Sequence, residues 1–318
     1  MTALWLSEKE VQQVLDMDLA LEAVEEGLRS IALDEAVNIP RARAQTDRAM
    51  LHLMGAACKT LGYLGFKAYV TSAQGAHFVV GLYDGKNGAP LAFMEADYLG
   101  QIRTGAASGV ATRYLARADA NQVGIIGSGR QARTQLMALC RVRPITHVQV
   151  YSRSEQRRRA FAADMSRVCQ VEIEPVATPE LAARDKDIVV TATTSREPVL
   201  YGNWLSPGVH LNVIGSNFLG KAEIDLEVVR RCDVLVVDNK EQARREAGDL
   251  IQAIEAGILE WAEVYELPYV IAGRNPGRQH PQDITLFKSV GIGIEDVAVA
   301  GKVFERARQA GLGKPVDQ

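Results

Sequence analysis

The feature that most constrains the fold is a glycine-rich turn in the middle of the chain. The apolar run that starts at Val123 leads directly into Gly127-Ser-Gly129-Arg-Gln-Ala132, and a helical pattern follows. This Gly-x-Gly-x-x-Ala spacing is typical of a dinucleotide-binding turn: the first glycine makes the bend, the second lets a pyrophosphate approach, and the alanine allows close packing. A strand–helix turn without a ligand has the same local pattern, but a second strand at 148–151 favours the dinucleotide site. The predicted cofactor contacts in the turn are Gly127, Ser128, Gly129, Arg130, Gln131 and Ala132.

Short β-branched runs alternate with helical segments through the rest of the middle region. The predicted strands are 123–126, 148–151, 171–174, 188–192, 210–214 and 234–237, and the clearest helices are 130–141 and 154–168. This alternation predicts an α/β fold, a doubly wound parallel sheet of the Rossmann type with helices on both faces.

The first hundred residues have a different pattern. A capping box at Ser7-x-x-Glu10 predicts a helix, and the alternating runs at 64–70, 78–83 and 90–94 predict an antiparallel sheet. A helix rich in small residues follows at 104–115. We therefore predict a discontinuous α+β substrate and dimerisation domain, residues 1–118 completed by a C-terminal helix at about 300–318, and a dinucleotide-binding domain at 119–299.

Composition excludes several classes of function. The 318 residues carry a net charge of −3, which argues against non-specific nucleic-acid binding. The four cysteines are scattered and predict no metal site. No apolar stretch approaches the length of a membrane span, and no secretory signal is visible, so we expect a cytoplasmic protein.

The residues after the second strand of the dinucleotide domain bear on the choice of cofactor. NAD-binding proteins usually place an acid there for the ribose hydroxyls, whereas this chain has Ser152-Arg153-Ser154. These residues permit NADP(H), with Arg153 on a 2′-phosphate. They also permit NAD(H), with Arg153 stacked on the adenine, so the preference stays open.

Polar residues within apolar runs are the candidates for substrate chemistry. Lys67 and His52 each interrupt an apolar strand, and their ordinary alternatives are a solvent-facing lysine and a structural histidine. Arg41 and Arg43 follow Pro40 just before the predicted sheet, where loop charge is the alternative. Arg103 precedes the small-residue helix, and its alternative is a salt bridge to Glu95 or Asp97.

The ordered set of motifs along the chain resembles the ornithine cyclodeaminase/mu-crystallin family. The motifs are Glu95-Ala-Asp97, Gln101-Ile-Arg103-Thr-Gly-Ala-Ala-Ser-Gly, the glycine turn, His210-Leu-Asn-Val-Ile-Gly-Ser-Asn217, Lys221-Ala-Glu223 and Lys288-Ser289-Val-Gly-Ile-Gly-Ile-Glu295-Asp296. The resemblance implies a homodimer with a nicotinamide cofactor that interconverts α-amino and α-imino acids.

The resemblance also implies roles for individual residues. Arg41, Lys67 and Arg103 match basic positions that act at the α-carboxylate and the reacting nitrogen, and Lys221 and Ser289 match positions near the cofactor. We add Thr104 and Thr193 as cofactor contacts.

Two departures from the family pattern bear on the substrate. Ornithine cyclodeaminases have a glutamate at the position of His52 and an aspartate at that of Asn217, and those acids suit a second ammonium group. Here a histidine and an amide, with Arg43 nearby, would instead favour a distal carboxylate. We predict reduction of a small α-imino acid to the L-amino acid, with iminosuccinate to aspartate as the most concrete case.

In the predicted mechanism, Arg41 and Arg103 hold the α-carboxylate so that the C=N carbon faces the nicotinamide. Lys67 supplies a proton, and His52 and Asn217 bind the side chain of the substrate. The alternatives are a cyclic imine such as pyrroline-2-carboxylate as substrate, an ammonia-eliminating lyase, and a binding protein without turnover.

Overall fold

A computed structural model describes residues 2–316. These residues form fifteen strands: β1 Leu4–Leu6, β2 Ala36–Gln45, β3 Ala49–Cys58, β4 Tyr63–Ser72, β5 Gly75–Asp84, β6 Pro90–Glu95, β7 Gln122–Ile126, β8 His147–Tyr151, β9 Glu172–Pro175, β10 Ile188–Thr191, β11 His210–Val213, β12 Val234–Val237, β13 Val264–Glu266, β14 Thr285–Lys288 and β15 Lys314–Pro315.

The same residues form eleven α-helices: α1 Glu8–Val14, α2 Met17–Ala32, α3 Asp97–Leu115, α4 Arg130–Val142, α5 Glu155–Cys169, α6 Pro179–Ala183, α7 Leu226–Arg231, α8 Lys240–Glu246, α9 Gly248–Glu255, α10 Leu267–Ile271 and α11 Gly293–Gln309. None of them is both long and apolar enough to cross a bilayer.

The chain divides into two compact units. The first contains the residues up to Ala106 and those from Ile292 onward, and the second runs from Ala107 to Gly291. Sequence had placed the boundaries at 118/119 and near 300. The observed division lies inside α3, which is one continuous helix, and directly before α11, which belongs wholly to the first unit.

The sheet of the first unit has the order β15-β1-β6-β5-β4-β3-β2. Strands β2 to β6 pair antiparallel in sequence, as the hairpin pattern predicted, and β1 adds parallel to β6. The predicted capping box is present, since Glu10 accepts the backbone N–H of Ser7 (2.8 Å). Helix α2 is capped by Asp16, which accepts the backbone N–H of Leu19 (2.8 Å).

Helix α11 packs on one face of this sheet, across β2 to β5. Its first residue, Gly293, lies so close to β3 that an added Cβ would be 2.7 Å from the carbonyl oxygen of Gly55. This close approach holds the acidic first turn of α11, which contains Glu295 and Asp296, against the sheet.

The second unit is an eight-stranded sheet of order β13-β12-β14-β11-β10-β7-β8-β9, in which the pairings between strands are parallel. The predicted doubly wound α/β fold is therefore confirmed. The chain reverses direction across the sheet beside β7, and ligands of open α/β sheets bind at the carboxyl ends of strands at such a point.

Candidate active site

The glycine turn of the second unit links β7 to α4. The backbone N–H of Gly127 donates to the carbonyl oxygen of Tyr151 (2.8 Å), which ties the turn to the end of β8. Gly127 has φ +121°, and an added Cβ would lie 2.3 Å from the carbonyl oxygen of Ala192. Only glycine fits there. Around Gly129, by contrast, an added Cβ would meet nothing within 4 Å, so the approach to the N-terminus of α4 is open.

A cavity of about 370 Å³ lies over this turn. Its lining residues all belong to the second unit: Ile126, Gly127, Ser128, Gly129, Tyr151, Ser152, Arg153, Ser154, Arg157, Ala192, Thr193, Thr194, Ser195 and Val199. The open space at Gly129, the hydroxyl-rich lining and the thirteen-residue helix α4 together fit a dinucleotide with its pyrophosphate at the helix N-terminus.

Six of the residues predicted to contact the cofactor line this cavity, namely Gly127, Ser128, Gly129, Ser152, Arg153 and Thr193. Arg130, Gln131 and Ala132 form the first turn of α4 and are not in the lining. Ala132 is buried, as its predicted packing role requires.

Thr193 is held by a glutamate that sequence reasoning assigned no role. The backbone N–H and the hydroxyl of Thr193 both donate to Glu223 Oε1 (2.7 Å each), and the N–H of Gly215 donates to Oε2 (2.7 Å). Burial raises the pKa of Glu223. This carboxyl group fixes the loops that follow β10 and β11. Its only signal in the sequence was its place in the Lys221-Ala-Glu223 motif.

The other predicted cofactor contacts do not line the cavity. The hydroxyl of Ser289 donates to Asp238 Oδ2 (3.0 Å), and Lys221 Nζ lies 5.4 Å from the ring centre of Phe218. Thr104, in the first unit, donates to the carbonyl oxygen of Gly100 (2.7 Å). Asn217 is half-buried in the loop after β11, and its role towards the substrate stays a prediction.

The first unit contains a buried cluster of charges around Lys67. Lys67, on β4, is 3% exposed, and its Nζ lies 2.9 Å from Asp296 Oδ1 on α11. Arg103, on α3, donates through Nε to the same oxygen (3.1 Å) and through Nη1 to Glu295 Oε2 (2.6 Å). Three segments far apart in sequence therefore meet at one carboxylate.

This environment lowers the pKa of Lys67 to about 8. Burial is the main cause, and the positive charges of Arg103 and Arg41 add to it, while Asp296 acts in the opposite direction. A lysine with such a pKa can exchange a proton near neutral pH.

Two expectations about the arginines were wrong. Arg103 does not precede a helix: α3 begins at Asp97, so Arg103 lies within it, and it pairs with Glu295 and Asp296. Arg41 and Arg43 are not loop residues either. Both lie within β2, which continues past Pro40 because the pairing with β3 shifts register there, at a bulge.

His52 lies on the same sheet, directly opposite Arg43 on β2 and Tyr69 on β4. Arg43 Nε donates to His52 Nδ1 (3.2 Å), and the imidazole stacks on Tyr69 with ring centres 4.1 Å apart. Burial and the charges of Arg43 and Arg41 lower the pKa of His52 to about 4. The ring is therefore neutral at pH 7, and since Nδ1 accepts from Arg43, Nε2 carries the proton and donates to Thr71 Oγ1 (3.2 Å).

Arg41 influences both Lys67 and His52. It is buried, and its charge lowers the pKa of both side chains. The cluster thus contains Arg41, Arg43, Lys67 and Arg103 against the carboxyl groups of Glu295 and Asp296. Guanidinium groups bind anions, and Lys67 can move a proton beside one.

The chain is similar to known proteins over nearly its whole length. The family model for the ornithine cyclodeaminase/mu-crystallin family matches residues 1–311. The Thermococcus litoralis Δ1-pyrroline-2-carboxylate reductase, solved with NADH and L-proline, is 36% identical with a TM-score of 0.94, covering 98% of this chain and all of that one.

Two further solved structures are similar over the full length. An archaeal alanine dehydrogenase dimer with bound NAD is 35% identical with a TM-score of 0.94, covering 100% of this chain and 99% of that one. The iminosuccinate reductase of Paracoccus denitrificans, in complex with NAD⁺, is 28% identical with a TM-score of 0.94 and full coverage of both chains.

Proposed function

Since the chain belongs to the ornithine cyclodeaminase/mu-crystallin family, we propose that it is a nicotinamide-dependent oxidoreductase that interconverts a small α-imino acid and the L-amino acid. The observation that carries this proposal is the buried Lys67, with its pKa lowered to about 8, between Asp296 and the arginines of the first unit. The relatives named above, which act on imino or amino acids, support the same class of reaction.

The arginines orient the substrate. Arg41 and Arg103 are both buried, and a guanidinium binds a carboxylate through paired, charge-assisted hydrogen bonds. Arg103 is itself fixed by Glu295 and Asp296, so little conformational freedom is lost when an anion binds. A carboxylate held in this way gives the neighbouring C=N carbon a defined orientation.

Lys67 handles the proton. A protonated imine accepts hydride better than a neutral one. At pH 7 Lys67, with a pKa of about 8, is mostly an ammonium and can supply that proton. When bound, the nicotinamide supplies the hydride to the imine carbon. Lys67 gives a proton to the imine nitrogen, and a second proton, from solvent, completes the ammonium of the product. Asp296 Oδ2 accepts no hydrogen bond within residues 2–316, which leaves an acceptor for an N–H of the substrate.

The charge balance supports a dicarboxylic substrate. The charges of Arg41 and Arg43 both act on His52, whose ring is neutral. A second ammonium on the substrate would meet the positive charges of Arg41 and Arg43 beside His52, whereas a second carboxylate would have Arg43 within the same strand pair. We therefore infer that iminosuccinate, reduced to aspartate, is the first substrate to test.

A cyclic imino acid is the second candidate, for a separate reason. Lys67 Nζ lies 5.8 Å and 5.5 Å from the ring centres of Tyr69 and Phe78, and these two rings stack on each other. An aromatic wall beside the proton donor suits a pyrroline ring. The relative solved with L-proline supports the same substrate.

The outer face of the first sheet supports a homodimer. On β4, the side chains that alternate with Lys67 point away from α11, and this face exposes large apolar groups on three strands: Val37, Ile39, Leu53, Leu64 and Val70, between 38% and 65% exposed. Patches of this kind on a soluble protein mark interaction surfaces. The alanine dehydrogenase relative is a dimer, so a second copy of this chain is the proposed occupant.

The decisive experiment is a panel of 2-oxo acids with ammonia, together with cyclic imines, followed by the absorbance of NADH and of NADPH. Oxaloacetate, pyruvate and pyrroline-2-carboxylate separate the substrate candidates. The Lys67→Met variant should still bind the nucleotide but lose reduction by orders of magnitude. Ammonia release without net consumption of the reduced nucleotide would identify a lyase instead, and nucleotide binding without any turnover would identify a binding protein.

A further inference from the structure

We propose that the second unit holds a 2′-phosphate at the end of β8 and therefore prefers NADPH to NADH. The proposal deepens the cofactor part of the proposed function, which by itself fits either nucleotide. It concerns residues of one unit and can be tested by binding alone, without any substrate.

The location follows from the register of the parallel strands. Ile126, the last residue of β7, pairs with Tyr151, the last residue of β8, and Gly127 bonds to the Tyr151 carbonyl. The residues that follow each strand therefore line the same cavity, as both Ser128 and Ser152 do. A dinucleotide with its pyrophosphate on such a turn places its adenosine ribose beside the end of the second strand.

No carboxylate is available there to select the 2′-hydroxyl of NADH. None of the described residues that line the cavity is acidic. Ser152 stands first after β8, and its hydroxyl accepts from Ser128 Oγ (2.9 Å) and donates to the Ser154 carbonyl (3.1 Å). The nearest acid in the sequence, Glu155, instead pairs on the outer helix surface with Arg159 (Nε to Oε1, 2.8 Å).

Two arginines, Arg153 and Arg157, lie near the place where NAD-binding proteins usually have an acid. Arg153 and Arg157 both line the cavity and are both exposed, and neither guanidinium has an ion pair or hydrogen bond within residues 2–316. They flank Ser154, which caps the fifteen-residue helix α5 by accepting the N–H of Arg157 (3.3 Å). Two guanidinium groups at a helix N-terminus form a favourable site for a doubly charged phosphate.

A third arginine of the same segment, Arg158, differs from these two because it is bound to neighbouring residues. Arg158 donates to the Ser152 carbonyl (3.0 Å) and lies 6.0 Å from the ring centre of Tyr151. It is engaged in holding the loop that carries Ser152 and Arg153. Because Arg158 supplies the structural contact, Arg153 and Arg157 are available for a ligand.

The test compares the binding of NADPH and NADH to the full-length protein, measured from the fluorescence of the bound reduced nucleotide. We expect NADPH to bind at least about tenfold more tightly, and raised salt to reduce that ratio. Arg153→Ala and Arg157→Ala should each weaken NADPH by about tenfold and leave NADH within about twofold. Adenosine 2′-phosphate should compete with the nucleotide in the wild type and lose affinity in both variants.

The matched control is Arg159→Ala, which removes an arginine from the same helix that does not line the cavity. It should leave both affinities unchanged. Equal weakening of NADPH and NADH by Arg153→Ala would show that this arginine stacks on the adenine and would overturn the proposal. Wild-type affinity for NADH equal to or above that for NADPH would overturn it too, yet leave the reductase function standing. NADPH preference without turnover of any imine would support this proposal and overturn the reductase function.

Discussion

Lys67 Nζ and Asp296 Oδ1 are 2.9 Å apart, and both side chains are almost completely buried. An ion pair in such surroundings loses much of its hydration, so the charge state of Lys67 depends strongly on its partner. Asp296 keeps the lysine largely protonated, while burial and two arginines push it towards the neutral form. The balance places the pKa of Lys67 at about 8, where either form is accessible.

The first prediction is a pH profile set by this lysine. If Lys67 is the acid in imine reduction, kcat/KM should be level below its pKa of about 8 and fall at higher pH by about tenfold per unit, because the neutral amine has no proton to give. In the oxidative direction the neutral amine is the base, so kcat/KM should rise with pH below about 8 and be level above it. Identical slopes in both directions would remove Lys67 from proton transfer.

The second prediction concerns Asp296→Asn. The carboxylate raises the pKa of Lys67, so its removal should lower that pKa and move the alkaline limb of the reduction profile to lower pH. Loss of a buried partner should also cost about 3–5 kcal/mol of unfolding free energy. Glu295→Gln is the control, because Glu295 contacts Arg103 and not Lys67. If both variants shift the alkaline limb of the pH profile equally, the Lys67–Asp296 contact does not determine the pH at which the rate falls.

The sequence predicted those parts of the fold that depend on local patterns. The glycine turn, the strands beside it and the hairpins of the first unit all follow from spacing of two or three residues. The continuation of β2 past Pro40 was not predicted, because proline and two arginines are typical of a loop and only the bulge opposite β3 accommodates them. The start of α3 at Asp97 was missed because the prediction rested on the small residues from Thr104 onward, and Gly100 interrupts the helical pattern before them.

The contacts of the candidate catalytic residues could not be predicted from local sequence patterns. Lys67 and Asp296 are 229 residues apart, and Arg103 and Glu295 are 192 apart. Only the packing of α11 on the sheet brings them together. A signal was present, however: Glu295 and Asp296 are adjacent acids directly before the apolar run 297–301, and such acids are buried only when they have partners.

The third prediction contrasts the two glycines of the turn. Gly127→Ala combines a φ of +121° with a Cβ 2.3 Å from a carbonyl oxygen, so we expect a large drop in the melting temperature. Gly129→Ala meets no atom within 4 Å and should leave the melting temperature nearly unchanged. Its methyl group would lie where the phosphates approach, so nucleotide affinity should fall. Equal nucleotide affinity in Gly129→Ala and the wild type would contradict the assigned pyrophosphate position.

The fourth prediction tests the substrate preference. His52→Glu would place a carboxylate opposite Arg43 and near Arg41, where its negative charge would repel a carboxylate of the substrate. The ratio of rates for dicarboxylic over neutral imino acids should fall by about tenfold or more. Thr71→Val removes the hydroxyl that accepts from His52 without adding charge and should keep the ratio. An unchanged ratio in the glutamate variant would exclude a distal carboxylate near His52.

The last prediction tests the proposed dimer. Leu53 and Ile39 lie on the exposed apolar face of the first sheet, 44% and 59% exposed. Leu53→Lys and Ile39→Glu should each convert a dimer of the 34.7 kDa chain into monomers, as measured by light scattering, because a buried unpaired charge costs several kcal/mol. Val168→Lys is the control: Val168 is equally exposed, at 60%, but lies on α5 in the second unit. A wild-type monomer, or dimers that persist in both sheet variants, would show that this face is not the interface.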